Sequence, residues 1–108
     1  IVATITHESS ESLGLKVGSE AFALVKASSV ILATGNDGMR LSARNHLAGN
    51  ITRVQPGAVN TEVTLEIGTG VTVAAVVTNE SAQELALAEG QRAEAIFKAS
   101  SVIIGVPA

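Results

Sequence analysis

The chain lacks the residues that several classes of functional site require. It has no cysteine, so it can form neither a disulfide nor a thiolate metal site. It has no tryptophan or tyrosine and only two phenylalanines, which argues against an aromatic platform for stacking nucleic-acid bases. The formal net charge of −3 also argues against broad binding to nucleic acid or anionic membranes. Its apolar runs are too short to span a bilayer, and a cytoplasmic location is expected.

An internal duplication dominates what is present. The sequence Lys-Ala-Ser-Ser-Val-Ile at Lys26–Ile31 recurs at Lys98–Ile103, 72 positions later. Between Val2–Ala33 and Ala74–Gly105, 15 of 32 aligned positions are identical. A shared core alone would repeat the apolar pattern, but here a lysine, a threonine and several serines also repeat. The duplication therefore predicts two copies of one structural and functional unit.

The duplication is incomplete, which sets the expected domain organisation. Residues 1–34 match only the second half of a unit, residues 35–40 form a predicted linker, and residues 41–108 form a complete unit. We expect a piece of a longer two-unit protein, with a circular permutation as the alternative. A lone half-unit should expose unpaired strand edges and fail to bury Val25, Val30 and Ile31. Self-association as a dimer, trimer or higher oligomer is therefore expected.

The pattern of the complete unit predicts an all-β fold with short helices. Asn50–Val54, Asn60–Ile67 and Val71–Thr78 are rich in β-forming residues. A short helix is predicted over Asn79–Ala88, closed by Gly90. Two further strands follow, and the first segment repeats this tail with a helix near Glu8–Leu13 and Gly18 as its stop. Five short strands with a helix after the third are typical of an OB-like small β-barrel, with a two-layer β-fold as the alternative.

No catalytic motif is present. The chain contains no Gly-x-x-x-x-Gly-Lys, Gly-x-Ser-x-Gly or His-Glu-x-x-His sequence. The two histidines, His7 and His46, have no repeated counterpart, and Asn79 stands where the first copy has His7. We interpret both as surface or locally hydrogen-bonded residues. We therefore expect no enzyme activity, no cofactor and no metal held by direct side-chain coordination.

The repeated polar residues suggest an anion site. Thr78 and Ser81 flank the start of the predicted helix, where unpaired N–H groups and the helix dipole favour negative charge. Lys98 lies between two strands and is expected to be partly desolvated, so that its ammonium requires a partner such as a bound dianion. The alternative is structural: Thr78 is only a helix N-cap, and Lys98 only extends its stem along the surface.

Four short motifs, taken together, resemble the molybdenum-pterin-binding (Mop) domain, a TOBE-type family that binds molybdate. The matching residues are Ser42-Ala43-Arg44-Asn45-x-Leu47-x-Gly49, Gly57-Ala58-Val59-Asn60-x-Glu62-Val63, Val77-Thr78-x-Glu80-Ser81 and Lys98-Ala99-Ser100-Ser101-Val102. Each motif is weak alone, but their order and spacing together are specific. The tandem arrangement resembles two-domain (di-Mop) storage proteins.

The resemblance implies an OB-like fold, a molybdate or tungstate ligand, and sites formed between domains and subunits. The implied ligand contacts in the complete unit are Ser42, Ala43, Arg44, Thr78, Ser81, Lys98, Ala99 and Ser100. The implied contacts in the half-unit are Thr6, Ser9, Lys26, Ala27 and Ser28. These groups can all donate hydrogen bonds, which suits an anion that only accepts them and disfavours hydrogen phosphate, whose proton requires an acceptor.

Three other functions stay open. The same fold serves as an oxyanion sensor in a molybdate-responsive transcription regulator or a molybdate-transporter ATPase, and the sequence before Ile1 would distinguish sensing from storage. An OB-fold nucleic-acid binder is disfavoured by the composition. An assembly module without a ligand would give a flat titration with molybdate.

Overall fold

The chain folds mainly into antiparallel β-structure with short helices, as predicted. The computed structural model describes residues 1–35 and 41–108, so the predicted linker 35–40 lies outside the described residues except for Gly35. No helix in these two ranges has the length and apolar character needed to cross a membrane. The elements are α1 (His7–Leu13), β1 (Phe22–Val25), a first 3₁₀ turn (Ala27–Ser29), β2 (Ile31–Ala33), β3 (Asn45–Pro56), β4 (Asn60–Gly68), β5 (Val71–Thr78), α2 (Asn79–Glu84), β6 (Arg92–Phe97), a second 3₁₀ turn (Ala99–Ser101) and β7 (Val102–Gly105).

The larger sheet has five antiparallel strands in the order β2-β6-β3-β4-β5. It curls into a half-barrel, which confirms the expected OB-like fold. In β4, Thr61, Val63 and Leu65 are buried and alternate with more exposed residues, as the period of two predicts. The smaller sheet pairs β1 with β7.

The two segments of the chain exchange their last strands. β2 of the first segment pairs with β6 of the second, and β7 of the second pairs with β1 of the first. The registers are equivalent: Ile31 lies opposite Ile96, and Ile103 lies opposite Leu24. Ile31 and Ile103 occupy the same position in the repeat, as do Leu24 and Ile96. The duplication is therefore expressed as a local twofold arrangement in which each segment completes part of the other.

The exchange changes the expected exposure of the first segment. Val30 is buried, and Val25 packs against the core, where the sequence predicted that both would be left uncovered. The error arose because the half-unit was considered in isolation, without the strands of the second segment. Ile31 is exposed, as expected, and β1 pairs with a strand along only one edge among the described residues.

One core joins both segments. Its buried members come from the strands and the strand junctions on either side of the exchange: Val30, Leu32, Ile51, Val63, Leu65, Ala75, Ala93, Ala95, Phe97 and Val102. Because the chain has so few aromatics, small and branched aliphatic residues fill this volume, with Phe97 as its largest side chain. Burial of this apolar surface is the main stabilising contribution to the fold.

Helix α1 ends at Leu13, as predicted, whereas α2 ends earlier than the sequence predicted. Gly14, with φ of 65°, ends α1, whereas Gly18 lies in the following turn. Helix α2 ends at Glu84. The residue that corresponds to Gly14 in the second copy of the repeat is Ala86, with φ of 50°. Gly90 therefore does not close the helix. An alanine in this left-handed conformation was not predicted, because glycine is the residue that usually adopts it.

Gly49 fixes how closely β3 and β4 approach. A Cβ atom built at Gly49 would overlap the backbone carbonyl of Glu66, with the carbonyl carbon only 2.9 Å away. The obstacle is backbone, which cannot rotate away as a side chain can. This contact gives a steric reason for the glycine in the Ser-Ala-Arg-Asn-x-Leu-x-Gly motif.

We predict that Gly49→Ala destabilises the protein by about 2 kcal/mol or more, because the added methyl must displace β4. Gly68→Ala is the matched control, since a Cβ there would meet only side-chain atoms of Val71, at 3.9 Å or more. Urea unfolding of the two variants measures the difference. Equal stability losses in both would contradict the steric explanation.

Candidate functional site

We divide the predicted anion contacts into two groups that differ from the repeat units, following the cleft that Thr6 and Ser9 share with Ser100 and the packing of the first 3₁₀ turn against β5. We call the first the Lys98 group and the second the Lys26 group. The Lys98 group combines helix-start residues of the first segment with the opening motif and strand junction of the second: Thr6, Ser9, Ser42, Ala43, Arg44, Lys98, Ala99 and Ser100. The Lys26 group combines the remaining predicted residues: Lys26, Ala27, Ser28, Thr78 and Ser81.

The ladder between β3 and β6 brings the opening motif to the strand junction. Asn45 lies opposite Phe97 at the end of this ladder. The next residues outward are Arg44 on one strand and Lys98 on the other. Neither forms an ion pair with any carboxylate among the described residues. Two cationic side chains therefore extend from adjacent strand ends.

Asn45 attaches the N-terminal segment to this end of the sheet. Its amide nitrogen Nδ2 donates to the Val2 carbonyl at 2.8 Å, and its Oδ1 accepts from the Val2 N–H at 2.7 Å. The Thr4 N–H donates to the Ala99 carbonyl at 3.0 Å. Asn45 is buried, so the side chain replaces a neighbouring strand for Val2. This role was missed, although Asn45 belongs to a quoted motif, because its partner is a backbone group far away in sequence.

A cleft of about 310 Å³ lies between the two segments. Thr6 and Ser9 line it from the start of α1, and Ser100 lines it from the second 3₁₀ turn. Apolar side chains of Leu13 and Val102 contribute to its wall. The hydroxyls of Thr6, Ser9 and Ser100 thus face one space, although Ser100 is more than 90 positions away from the other two in the sequence.

The helix-start threonines act as N-caps, as the structural alternative predicted. Thr6 Oγ1 accepts a hydrogen bond from the Ser9 N–H at 3.1 Å and donates to Ser9 Oγ at 2.9 Å. Thr78 and Ser81 repeat this arrangement at 3.0 and 2.8 Å. Because each threonine hydroxyl proton is already used, the serine hydroxyl is the one that can donate outward.

Lys98 is exposed in the single chain, and the expected partial desolvation is wrong. Its neighbours Phe97 and Ala99 are buried, but its own side chain leaves the strand junction towards solvent. A lysine that follows a buried strand is not necessarily buried with it, because its long stem can carry the ammonium to solvent. Lys26, its repeat equivalent, is also exposed.

The Lys26 group is less complete. The first 3₁₀ turn, which carries Ala27 and Ser28, packs against β5, and β5 ends at Thr78. The equivalent of the Ser42-Ala43-Arg44 motif does not occur in the first segment. The described residues therefore provide this group with a lysine, a strand junction and a capped helix start, but no opening motif.

His46 is locally hydrogen-bonded, as predicted, and its partners connect it to the Lys98 group. Its Nδ1 lies 2.6 Å from Glu94 Oε1, and its Nε2 lies 2.9 Å from the Ala43 carbonyl oxygen. Within the described residues, no three histidine or carboxylate side chains cluster as they would around a metal ion. The chemistry available at the Lys98 group is hydrogen-bond donation and positive charge.

Sequence comparison identifies relatives along nearly the whole chain. The TOBE domain model matches residues 1–32 and 41–104. The molybdenum-pterin-binding protein MopA of Rhodobacter capsulatus is 47% identical over 107 residues, covering 99% of this chain and 40% of MopA. The molybdenum transport protein ModE of Azotobacter vinelandii is 49% identical over 106 residues, covering 98% of this chain and 39% of ModE. The chain thus spans about 40% of the length of these curated relatives.

A solved structure has the same fold over nearly all of the chain. The molybdate-bound crystal structure of the cytoplasmic molybdate-binding protein ModG superposes with a TM-score of 0.92 at 48% sequence identity. The match covers 97% of this chain and 74% of that chain. The strands that the two segments exchange therefore lie within the part of the chain that superposes on ModG.

We predict that Asn45→Ala destabilises the protein by about 2 kcal/mol, because the two hydrogen bonds between the buried Asn45 amide and the half-buried backbone of Val2 are lost. Asn50→Ala is the control: Asn50 is exposed on the same strand, and its loss should cost less than about 0.5 kcal/mol. Denaturant unfolding measures both. If Asn45→Ala and Asn50→Ala have the same stability, Asn45 does not anchor the N-terminal segment.

Proposed function

Because the chain belongs to the TOBE domain family, we propose that it binds molybdate or tungstate and serves in intracellular molybdenum storage. The observation that carries this proposal is the cleft lined by hydroxyl residues of both segments, Thr6, Ser9 and Ser100. Arg44 and Lys98 follow at the ends of adjacent strands, and neither is paired with a carboxylate among the described residues. Binding and release of the anion, without catalysis or a cofactor, is the proposed activity.

The donors of the Lys98 group suit a tetrahedral dianion. Ser9 and Ser100 supply hydroxyls at the cleft, while Arg44 and Lys98 supply charge-assisted donors at the ends of the strands. An oxyanion without a proton accepts from all of them. Hydrogen phosphate carries a proton that requires an acceptor, so a site composed of donors binds it less well. We therefore expect molybdate and tungstate to bind more tightly than phosphate.

Storage is favoured over sensing by the extent of the structural similarity. The match to the cytoplasmic molybdate-binding protein ModG covers 74% of that chain, and this supports a cytoplasmic binding protein. Sensing is the second candidate, supported by the 49% identity to ModE. The matched region makes up 39% of ModE. The two roles share the anion site and differ in what the rest of the protein does.

We also infer that residues 1–34 are the second half of a first unit and that β1 pairs with a further strand equivalent to β3. β6 lies between β2 and β3, whereas its repeat equivalent β1 pairs only with β7 among the described residues. Accordingly, Ile96 of β6 is 3% exposed, while the equivalent Leu24 of β1 is 57% exposed. A further strand beside β1, from the same protein or from another copy, would cover Leu24.

Anion binding is tested by calorimetry with molybdate, tungstate, sulfate and phosphate. We expect molybdate or tungstate to bind, sulfate much more weakly and phosphate most weakly. Lys98→Met should weaken molybdate binding by about tenfold, since it removes one charged donor and keeps most of the stem. Lys16→Met is the control, because Lys16 is an exposed lysine outside both groups. Phosphate binding as tight as molybdate binding would overturn the proposed donor site.

Self-association is tested by sedimentation at micromolar concentration. We expect an oligomer held partly by the outer face of β1 and β7, where Phe22, Leu24 and Ile103 are all exposed. Leu24→Ser should weaken the association. Val17→Ser should not, because Val17 is fully exposed in a turn away from these strands. A stable, well-folded monomer would contradict the interrupted-unit hypothesis and favour a permuted fold.

A further inference from the structure

His46 occupies a bridging position that the anion site itself does not explain. It lies on β3, two residues after Arg44, and its imidazole ring contacts one group through each nitrogen. Nδ1 is 2.6 Å from Glu94 Oε1 on β6, and Nε2 is 2.9 Å from the Ala43 carbonyl oxygen. The ring therefore connects the opening motif to the neighbouring strand.

Both partners of the ring are hydrogen-bond acceptors. A backbone carbonyl only accepts, and an ionised carboxylate only accepts. A neutral imidazole has one N–H and can satisfy only one of them, whereas the doubly protonated ring donates to both. The short Nδ1–Oε1 distance is typical of a charge-assisted pair. The two contacts can therefore both be hydrogen bonds only when each ring nitrogen carries a proton.

The carbonyl that His46 holds belongs to the opening motif of the Lys98 group. Asn45, the residue after Arg44, is hydrogen-bonded to the backbone of Val2. His46 contacts the carbonyl of Ala43, the residue before Arg44. Arg44 is thus held between two attachment points. Of these, the Asn45 contact is independent of pH, while the His46 contact depends on whether the ring carries its second proton.

The charged groups on the strands and turns beside His46 come from four elements. β6 contributes Glu94 and Arg92, the strand junction contributes Lys98, the opening motif contributes Arg44, and β4 contributes Glu66, which lies opposite Asn50. β2, on the far side of β6, contributes no titratable side chain. Of the two carboxylates, Glu94 is the one that contacts the ring.

We propose that His46 is a positioning residue that makes anion binding depend on pH. In its doubly protonated form it ties the Ala43 carbonyl to Glu94 and holds Ser42, Ala43 and Arg44 in the geometry that receives the anion. Loss of one proton breaks one of the two contacts and frees this segment. The inference rests on the proposed anion site, and it adds a residue that does not itself contact the ligand.

The test is the affinity for molybdate, measured by calorimetry on the full chain at about pH 6 and about pH 8, the range in which histidine changes charge. The wild-type protein should bind about three- to tenfold more tightly at the lower pH, as expected for one charge-assisted hydrogen bond. His46→Gln should bind molybdate equally well at both pH values, and Glu94→Gln should show a smaller difference in affinity than the wild type. His7→Gln is the control for the other histidine and should keep the wild-type ratio.

A second measurement reports the contact without any ligand. Nitrogen-15 spectra of the His46 ring should show both nitrogens protonated at the lower pH, with the Arg44 and Asn45 amide signals shifting as the ring titrates. Equal pH ratios for wild type and His46→Gln would overturn the positioning role while leaving the anion site intact. Absence of molybdate binding to the wild type at both pH values would instead overturn the anion site, and this inference with it.

Discussion

The pairing of β2 with β6 and of β7 with β1 is the interaction on which the rest of the structure depends. Each ladder joins a strand of one repeated segment to a strand of the other, in equivalent register. Backbone groups that would be unpaired at the edges of each segment are satisfied by this exchange. The shared core follows from it, since Val30 and Leu32 reach the same cluster as Ile51 and Phe97 only across these ladders.

The exchange also determines which polar residues meet. If each repeat unit had formed its own barrel, Thr78 and Ser81 would lie with Lys98. Instead the helix start of the first segment faces the strand junction of the second, and Thr6, Ser9 and Ser100 line one cleft. An anion held there would contact both segments, so binding and the association of the segments stabilise each other. This mutual stabilisation gives a physical reason why the two copies of the repeat share polar residues as well as apolar ones.

Local features of this fold could be predicted from the sequence, while the partners across the exchange could not. Alternation in Asn60–Ile67 predicted the faces of β4 correctly, and the change of pattern after Thr78 predicted the start of α2 correctly. The predicted end of α2 was wrong, because Ala86 adopts the conformation that glycine usually supplies. The predicted exposure of Val30 was wrong, because its burial depends on β6, a strand far away in the sequence. Sequence separation also hid the role of Asn45, whose partner is the backbone of Val2, 43 positions away.

The central claim is that one anion site combines residues of both segments, and anomalous diffraction from crystals grown with tungstate tests it most directly. Tungsten scatters strongly, so its position can be located without assuming a binding site. The account predicts an anomalous peak at the cleft between Ser9 and Ser100, within reach of Arg44 and Lys98. A peak that contacts residues of only one segment, or no ordered tungsten at either the Lys98 or the Lys26 group, would contradict it.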